Sequence, residues 1–305
     1  MNCLPASTPR GVEVFAPAKI NLFLHIGEKQ ADGYHAVQSL VAFAETADRM
    51  QCEGAADLSL RLAGPFARAL AGESDNLVLR AARELKLARD ASLGAGITLE
   101  KNLPVAAGIG GGSADAAAAL RALNVLWALR MPEAELAGLA AAIGSDVPAC
   151  VLSRACWMEG RGERVTVTTP LPQLAMVLVN PGVALPTARV FAELNARNGV
   201  SAMQPPRDTF ETLWDLLAYL GDAGNDLEAP ACRLAPVIDD VLSALDREPG
   251  CALAQMSGSG STCFALFHEH QYAVGAAERL AQDHPDWWVR VTRLASPEIG
   301  AVRSL

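Results

Sequence analysis

Between Gly108 and Gly112 four of five residues are glycine, so no Cβ stands between the backbone N–H groups and a ligand. Ser113 and Ala114 open a helix directly afterwards, and the positive end of its dipole points into the same space. That combination suits a triphosphate; the plainer reading is a flexible turn between strand and helix. A Walker A loop requires GK[ST], and Gly108 to Ser113 contains no lysine, which excludes that class. A Rossmann fingerprint asks for glycine where Ser113 stands and for an acidic residue about 20 positions on, after a strand. Glu133 falls near that distance but inside the helical PEAELAGL, so a dehydrogenase stays only as a rival catalytic class.

Lys19 interrupts an otherwise apolar strand. An unpaired buried ammonium is costly, so Lys19 either finds a carboxylate or polar cleft, or lies on a solvated strand face. Asp146, in a turn that follows a helix, is its natural partner; there a carboxylate either faces a cleft or caps a helix. Asn21, two residues along, shares the strand face of Lys19 and could contact an acceptor or a phosphate. Tyr34 and His35 follow Asp32 and Gly33 in a turn, and Phe191 sits in an amphipathic stretch; each also reads as ordinary packing. Thr187, after Pro186, reads as a helix N-cap, and Gly258, Ser259 and Gly260 as a hairpin turn.

The elements that must position these residues follow from the hydrophobic spacing. VEVFAPAKINLFLHI (12 to 26) gives two β-rich runs parted by Ala16 and Pro17, and strands follow at 36 to 43 and 57 to 62. Ser74 and Asp75 precede NLVLRAARELKL, a capped helix, and GITLEK (96 to 101) is another strand. The Ala/Leu-rich helix after the glycine loop runs about four turns and ends at Pro132. PEAELAGLAAAIG then places Pro at a helix start and Gly144 at its end, leaving Ser145 to Pro148 in a turn. Residues 160 to 173 are rich in Gly, Pro and Thr, so the chain divides near residue 168 into units 1–168 and 169–305. LAMVLVNP resumes as a buried strand; helices are expected at 187 to 194, 208 to 220, 234 to 246 and 271 to 283. Strands at 251 to 256 and 262 to 267 and a last one through Trp287 and Trp288 complete an α+β pattern.

A chain of 305 residues, 51% hydrophobic and 19% charged, can bury a large core and fits two domains. Its net charge of -9 and pI near 5.1 argue against a nucleic-acid partner, so an anionic ligand must be held by local amides and a few placed cations. Seven cysteines from Cys3 to Cys263, without a CxxC, fit a reduced compartment. No signal-like opening or membrane-length apolar stretch is visible, so the expected setting is cytoplasmic, with no membrane partner.

Three blocks together resemble the GHMP kinases: APAKINLFLHI (16 to 26), PVAAGIGGGSADAA (104 to 117) and MSGSGSTCFALF (256 to 267). ADGYHAVQSL (31 to 40), GSDVPAC (144 to 150) and PGVALPTARVF (181 to 191) narrow the likeness to the branch acting on 4-diphosphocytidyl-2-C-methyl-D-erythritol. The resemblance spans almost the whole chain. It implies an N-terminal ribosomal protein S5 domain 2-like domain, a C-terminal ferredoxin-like α/β domain and an active site between them.

It also implies transfer of the ATP γ-phosphoryl group to the 2-hydroxyl of that small molecule, with Asp146 as base and Lys19 keeping Asp146 charged. Pro104, Ala107, Gly108, Gly110, Gly111, Gly112 and Ser113 would surround the ATP phosphates. Tyr34, His35 and Phe191 would hold cytosine, while Asn21, Thr187, Gly258 and Ser259 would face the substrate. Mg2+ is expected with ATP, but no carboxylate cluster near the loop marks a metal ligand. A monomer or weak homodimer is expected. The same loop would serve a GHMP kinase for mevalonate, homoserine or a sugar, or a non-catalytic nucleotide-binding homologue. Ile109, Ala114 and Ser261 depart from the commoner residues of the pattern without removing a functional group, and the first ten residues have no counterpart in it.

Overall fold

The computed structural model describes every residue except 1–8, 32, 73–74, 90–92, 196–206 and 208. Cys3, Asp32 and Ser74 therefore lie outside the described residues, as does Asp208, the expected start of one helix. In chain order the elements are β1 (Gly11–Asn21), β2 (His25–Lys29), β3 (His35–Ala55), β4 (Leu58–Ala63), α1 (Leu77–Ala88), β5 (Gly94–Glu100) and α2 (Gly111–Leu126). Then come α3 (Glu133–Ala140), α4 (Val147–Leu152), β6 (Cys156–Glu159), β7 (Arg164–Val167), β8 (Ala175–Asn180), α5 (Thr187–Asn195) and α6 (Leu213–Ala223). The chain closes with α7 (Glu228–Leu234), α8 (Val237–Asp246), β9 (Cys251–Met256), β10 (Cys263–Phe267), α9 (His270–Asp283), β11 (Trp288–Arg293) and β12 (Arg303–Ser304).

Two sheets carry the fold. The larger runs β12-β1-β3-β5-β4, with β2 and β6 also on β3 and β7 on β6; the smaller runs β11-β8-β10-β9. All pairings are antiparallel except β4 with β5. One face of the larger sheet packs Val14, Met50 and Ile97 against α1, α2 and α4. Its other face packs Ile20, Leu22 and Leu40 against Met176, Leu178 and Phe264 of the smaller sheet, while Val177, Val179 and Ala265 point away toward α7, α8 and α9. β8 is thus apolar on both faces, which is why its sequence reads as an unbroken apolar run.

Several local readings change. β1 runs through Pro17, but its register with β3 shifts between Pro17 and Lys19. The shift falls where proline can donate no ladder hydrogen bond, and such irregularities re-aim neighbouring side chains. α1 is capped by Asn76, whose side chain accepts from Val78 N at 2.9 Å, one residue after the expected Asp75. α2 starts at Gly111 and ends at Leu126, well before Pro132, because Ala128 and Arg130 adopt positive φ. Val147 and Pro148 belong to α4, not to a turn. The helix expected from 208 begins at Leu213 with Thr212 as its cap. The helix expected from 234 to 246 is α8, which begins at Val237 after Pro236, and α7 is a further helix ahead of it. β6 and β7 form a hairpin whose turn and second strand fall in the stretch read as irregular from residue 160.

Candidate active site

Lys19 is 4% exposed, so the solvated-face reading fails. Its Nζ lies 3.0 Å from Asp146 Oδ2 and donates to Asn21 Oδ1 at 3.1 Å. Asp146 stands at the N-cap position of α4 but makes no capping hydrogen bond; its side chain, 38% exposed, turns to Lys19 and the cleft instead. Asn21 is fixed from both ends: Nδ2 donates to Ser39 Oγ at 2.8 Å, and Ser39 in turn donates to Phe23 O at 2.5 Å. The Asn21 backbone N–H donates to Ser257 Oγ at 3.1 Å, and that hydroxyl reaches Gly108 O at 3.1 Å. Ser39 and Ser257 fall inside the blocks at 31 to 40 and 256 to 267, but their hydrogen bonds to Asn21 and Gly108 come only from the fold. Two cysteines near the pair are inert: burial pushes the Cys156 thiol up to about 12 and raises Cys150 further, so neither supplies a nucleophile.

The glycine loop is tied to the same strand. Lys19 N–H donates to Ile109 O at 2.9 Å, and Gly110, left-handed at φ 62°, begins α2 against the Lys19 side chain, where a Cβ would come within 3.0 Å. Gly108 has a different reason to be glycine. A Cβ there would sit 2.4 Å from Ser257 O, and one on Gly258 would sit 2.6 Å from Gly108 O. The loop and the turn at 257–260 therefore meet backbone on backbone. Gly258 to Gly260 do link β9 to β10, and they also brace the loop, with Thr262 N–H donating to Ala107 O at 3.1 Å. Asn225, absent from the sequence reading, donates through Nδ2 to Met256 O at 2.7 Å and Gly258 O at 2.9 Å. Thr187 is the first residue of α5, and its hydroxyl meets Ser259 Oγ at 2.8 Å.

The loop separates two depressions. One, of about 210 Å³, is lined by Lys19, Asn21, Gly108, Gly110 and Asp146 and also reaches Thr187, Gly258 and Ser259. The other, of about 150 Å³, lies under Pro104, Gly111 and Gly112 beside Asn76 and Lys101. Ser113 occupies the first turn of α2, and Ala107 is buried in the apolar layer between the sheets. A third cavity, of about 490 Å³, gathers Tyr34, His35 and Phe191. Tyr34 is 57% exposed, and the His35 and Phe191 rings lie 5.6 Å apart. His35 Nδ1 donates to Gly27 O at 2.9 Å, and its Nε2 is buried with no hydrogen-bond partner among the described residues.

Beneath the loop is a cluster the sequence did not reveal. Lys101 pairs with Asp48 and, at 2.7 Å, with Asp115, all three at most 2% exposed. Asp48 Oδ1 also accepts the backbone N–H groups of Asn102 (2.5 Å) and Leu103 (2.8 Å). Burial works to lower the Lys101 pKa, but the charges of Asp115 and Asp48 outweigh it and raise it. Burial pushes Asp115 up to about 8, with Asp48 adding to the shift and Lys101 opposing it. The available signal was Asp115 itself, a lone carboxylate inside an alanine run.

Among the described residues, no group of three or more His, Cys, Asp or Glu side chains converges on a metal position, and no helix is long and apolar enough to cross a membrane.

The family model described as GHMP kinases N terminal domain matches residues 76–154, and that described as GHMP kinases C terminal matches 192–286. A protein of Parvibaculum lavamentivorans named 4-diphosphocytidyl-2-C-methyl-D-erythritol kinase is 52% identical over 91% of this chain and 96% of its own length. One of the same name from Methylobacterium radiotolerans is 51% identical over 92% and 97%. The solved structure of a 4-(cytidine 5'-diphospho)-2C-methyl-D-erythritol kinase superposes with a TM-score of 0.76 at 34% identity, covering 93% of this chain and all of the other. The homoserine kinase of Cytophaga hutchinsonii, at 18% identity and a TM-score of 0.73, shares the fold. With both of its halves matched and half of its residues shared with such relatives over nearly their whole length, this chain belongs to the GHMP kinase family and has its two-domain α+β fold.

Proposed function

We propose that the chain transfers the γ-phosphoryl group of ATP to the 2-hydroxyl of 4-diphosphocytidyl-2-C-methyl-D-erythritol. The products are the 2-phosphate and ADP, a step of the non-mevalonate route to isoprenoids. The observation that carries this reading is one cavity in which the Lys19–Asp146 pair faces the glycine loop and continues past Thr187 and Phe191 toward the aromatic cavity.

Phosphoryl transfer asks a protein for alignment, a proton acceptor and charge stabilisation more than for covalent chemistry. Asp146 Oδ accepts the proton of the 2-hydroxyl as its oxygen bonds to the γ-phosphorus and the bond to the ADP oxygen breaks. Lys19, held by Asn21, orients the Asp146 carboxylate and offers positive charge to the transferring group. The α2 N-terminus and the bare amides from Gly108 to Gly112 stabilise charge on the nucleotide side. Tyr34 and Phe191 supply stacking surfaces for cytosine, and His35 lines the same cavity beside them. With no cluster of three or more His, Cys, Asp or Glu among the described residues, an Mg2+ accompanying ATP would be held mainly by nucleotide oxygens and water. The same reading divides the chain near residue 168 and makes the protein a cytoplasmic enzyme, monomeric or weakly dimeric.

A coupled assay under Mg-ATP tests it. ADP release is expected with the cytidine-bearing alcohol and not with mevalonate, homoserine or galactose. Turnover of one of those three without turnover of the cytidine compound overturns the substrate, and silence with all four overturns the kinase reading.

A further inference from the structure

The substrate assigned above is linear: cytosine, ribose, diphosphate, methylerythritol. Its two ends have sites in this structure, but its charged middle has none among the residues considered so far. The tip of the β6–β7 hairpin occupies that middle. Gly160 O accepts from Val37 N–H at 2.7 Å, which ties the tip to β3 beside His35. On its other side Gly162, at φ 111°, lies close enough to Asp146 that a Cβ would sit 3.7 Å from Oδ1. Between these anchors stands Arg161, which lines both the catalytic cavity and the aromatic one.

Its side chain is placed but not consumed. The guanidinium lies 5.3 Å from the centre of the Tyr34 ring and 42% exposed, and among the described residues its ion pair, to Glu163, spans 3.9 Å. The other cation of the catalytic cavity, Lys19, is already matched by Asp146 at 3.0 Å. The other cation lining the aromatic cavity, Lys29, does not reach the catalytic one. In a chain of net charge -9, a diphosphate running from one cavity to the other needs a local cation. A guanidinium fork suits its oxygens.

Resting on the function proposed above, we infer that Arg161 binds the diphosphate of the cytidine substrate and is the residue that distinguishes a diphosphate-bearing alcohol from a bare one. The backbone anchors fix where the charge sits, and the exposed side chain swings from Glu163 onto the phosphates when substrate enters.

The test is equilibrium binding of cytidine, CMP and CDP to wild type, Arg161→Gln and Arg161→Lys, each first shown to melt at the wild-type temperature. Wild type is expected to bind CDP more tightly than cytidine. Arg161→Gln is expected to shrink that preference about tenfold or more while leaving cytidine itself unchanged, with Arg161→Lys partly restoring it. In turnover, KM for the cytidine substrate rises in Arg161→Gln while KM for ATP stays put. An undiminished CDP preference in Arg161→Gln overturns the role of Arg161 alone. Wild type that binds neither cytidine nor CDP overturns the substrate reading beneath it.

Discussion

The protein contains two lysine–aspartate clusters on either side of one glycine loop, and they are built for opposite ends. Lys19 and Asp146 meet with the lysine buried and the carboxylate 38% exposed to a cavity. Lys101, Asp48 and Asp115 meet with all three buried, Lys101 and Asp115 bordering the smaller depression under the loop, and two backbone N–H groups complete the cluster. The chemistry of the side chains is the same. What differs is how far a carboxylate is exposed: Asp146 is 38% exposed to the catalytic cavity, while Asp48 and Asp115 are at most 2% exposed. The buried cluster ties β3, the end of β5 and the second turn of α2 together under the loop, so it acts on the loop's shape.

Breaking the buried cluster should have the largest effect. Lys101→Met leaves two carboxyl groups buried without their cation and is expected to cost about 3–5 kcal/mol of stability, read from denaturant unfolding. Lys19→Met, beside a carboxylate that water can reach, should cost markedly less; equal losses would erase the contrast between the clusters. At the open pair the damage should appear in turnover. Asp146→Asn is expected to lower kcat by about 100-fold or more while ATP still binds with wild-type affinity, and near-normal kcat would remove Asp146 from the reaction.

The loop between the clusters offers a smaller lesion. Gly108→Ala forces a Cβ into Ser257 O at positive φ, and a loss of more than about 1 kcal/mol is expected, with a raised KM for ATP. Unchanged melting would mean that the loop and the 257–260 turn are not held in register by that contact.

A last effect is one of pH. Asp115 has its pKa raised from 3.8 to about 8 in the folded chain, so the native state binds a proton that the unfolded state releases. Its contribution is therefore full below about pH 4 and is lost as pH rises through about 8. Asp115→Asn, which mimics the neutral acid, should flatten the fall of melting temperature across that window. A slope identical to wild type would show that Asp115 does not carry the proton.

Much of this was readable beforehand. The order of most strands and helices and the glycine loop follow from runs of residues close together in the chain, whereas the site roles of Asp146, Tyr34, His35 and Phe191 were what the family resemblance implied. The helix limits that moved, at Asn76, Leu126 and Pro236, moved because capping and breaking depend on single backbone dihedrals. Ser39, Ser257, Asn225 and Arg161 stayed hidden, Ser39 and Ser257 even within quoted blocks, because each gains its role from a partner distant in sequence.

By itself the sequence determined where the chain would be helix or strand, which segments would be buried, and that bare amides would open α2, because those depend on side chains a few residues apart. The tertiary structure decided which lysine would meet which carboxylate and which of those pairs would stay open. It decided too that Gly108 would serve contact with another turn, because ion pairing and close backbone approach are set by distances across sheets, 127 positions apart for Lys19 and Asp146 and 149 for Gly108 and Ser257.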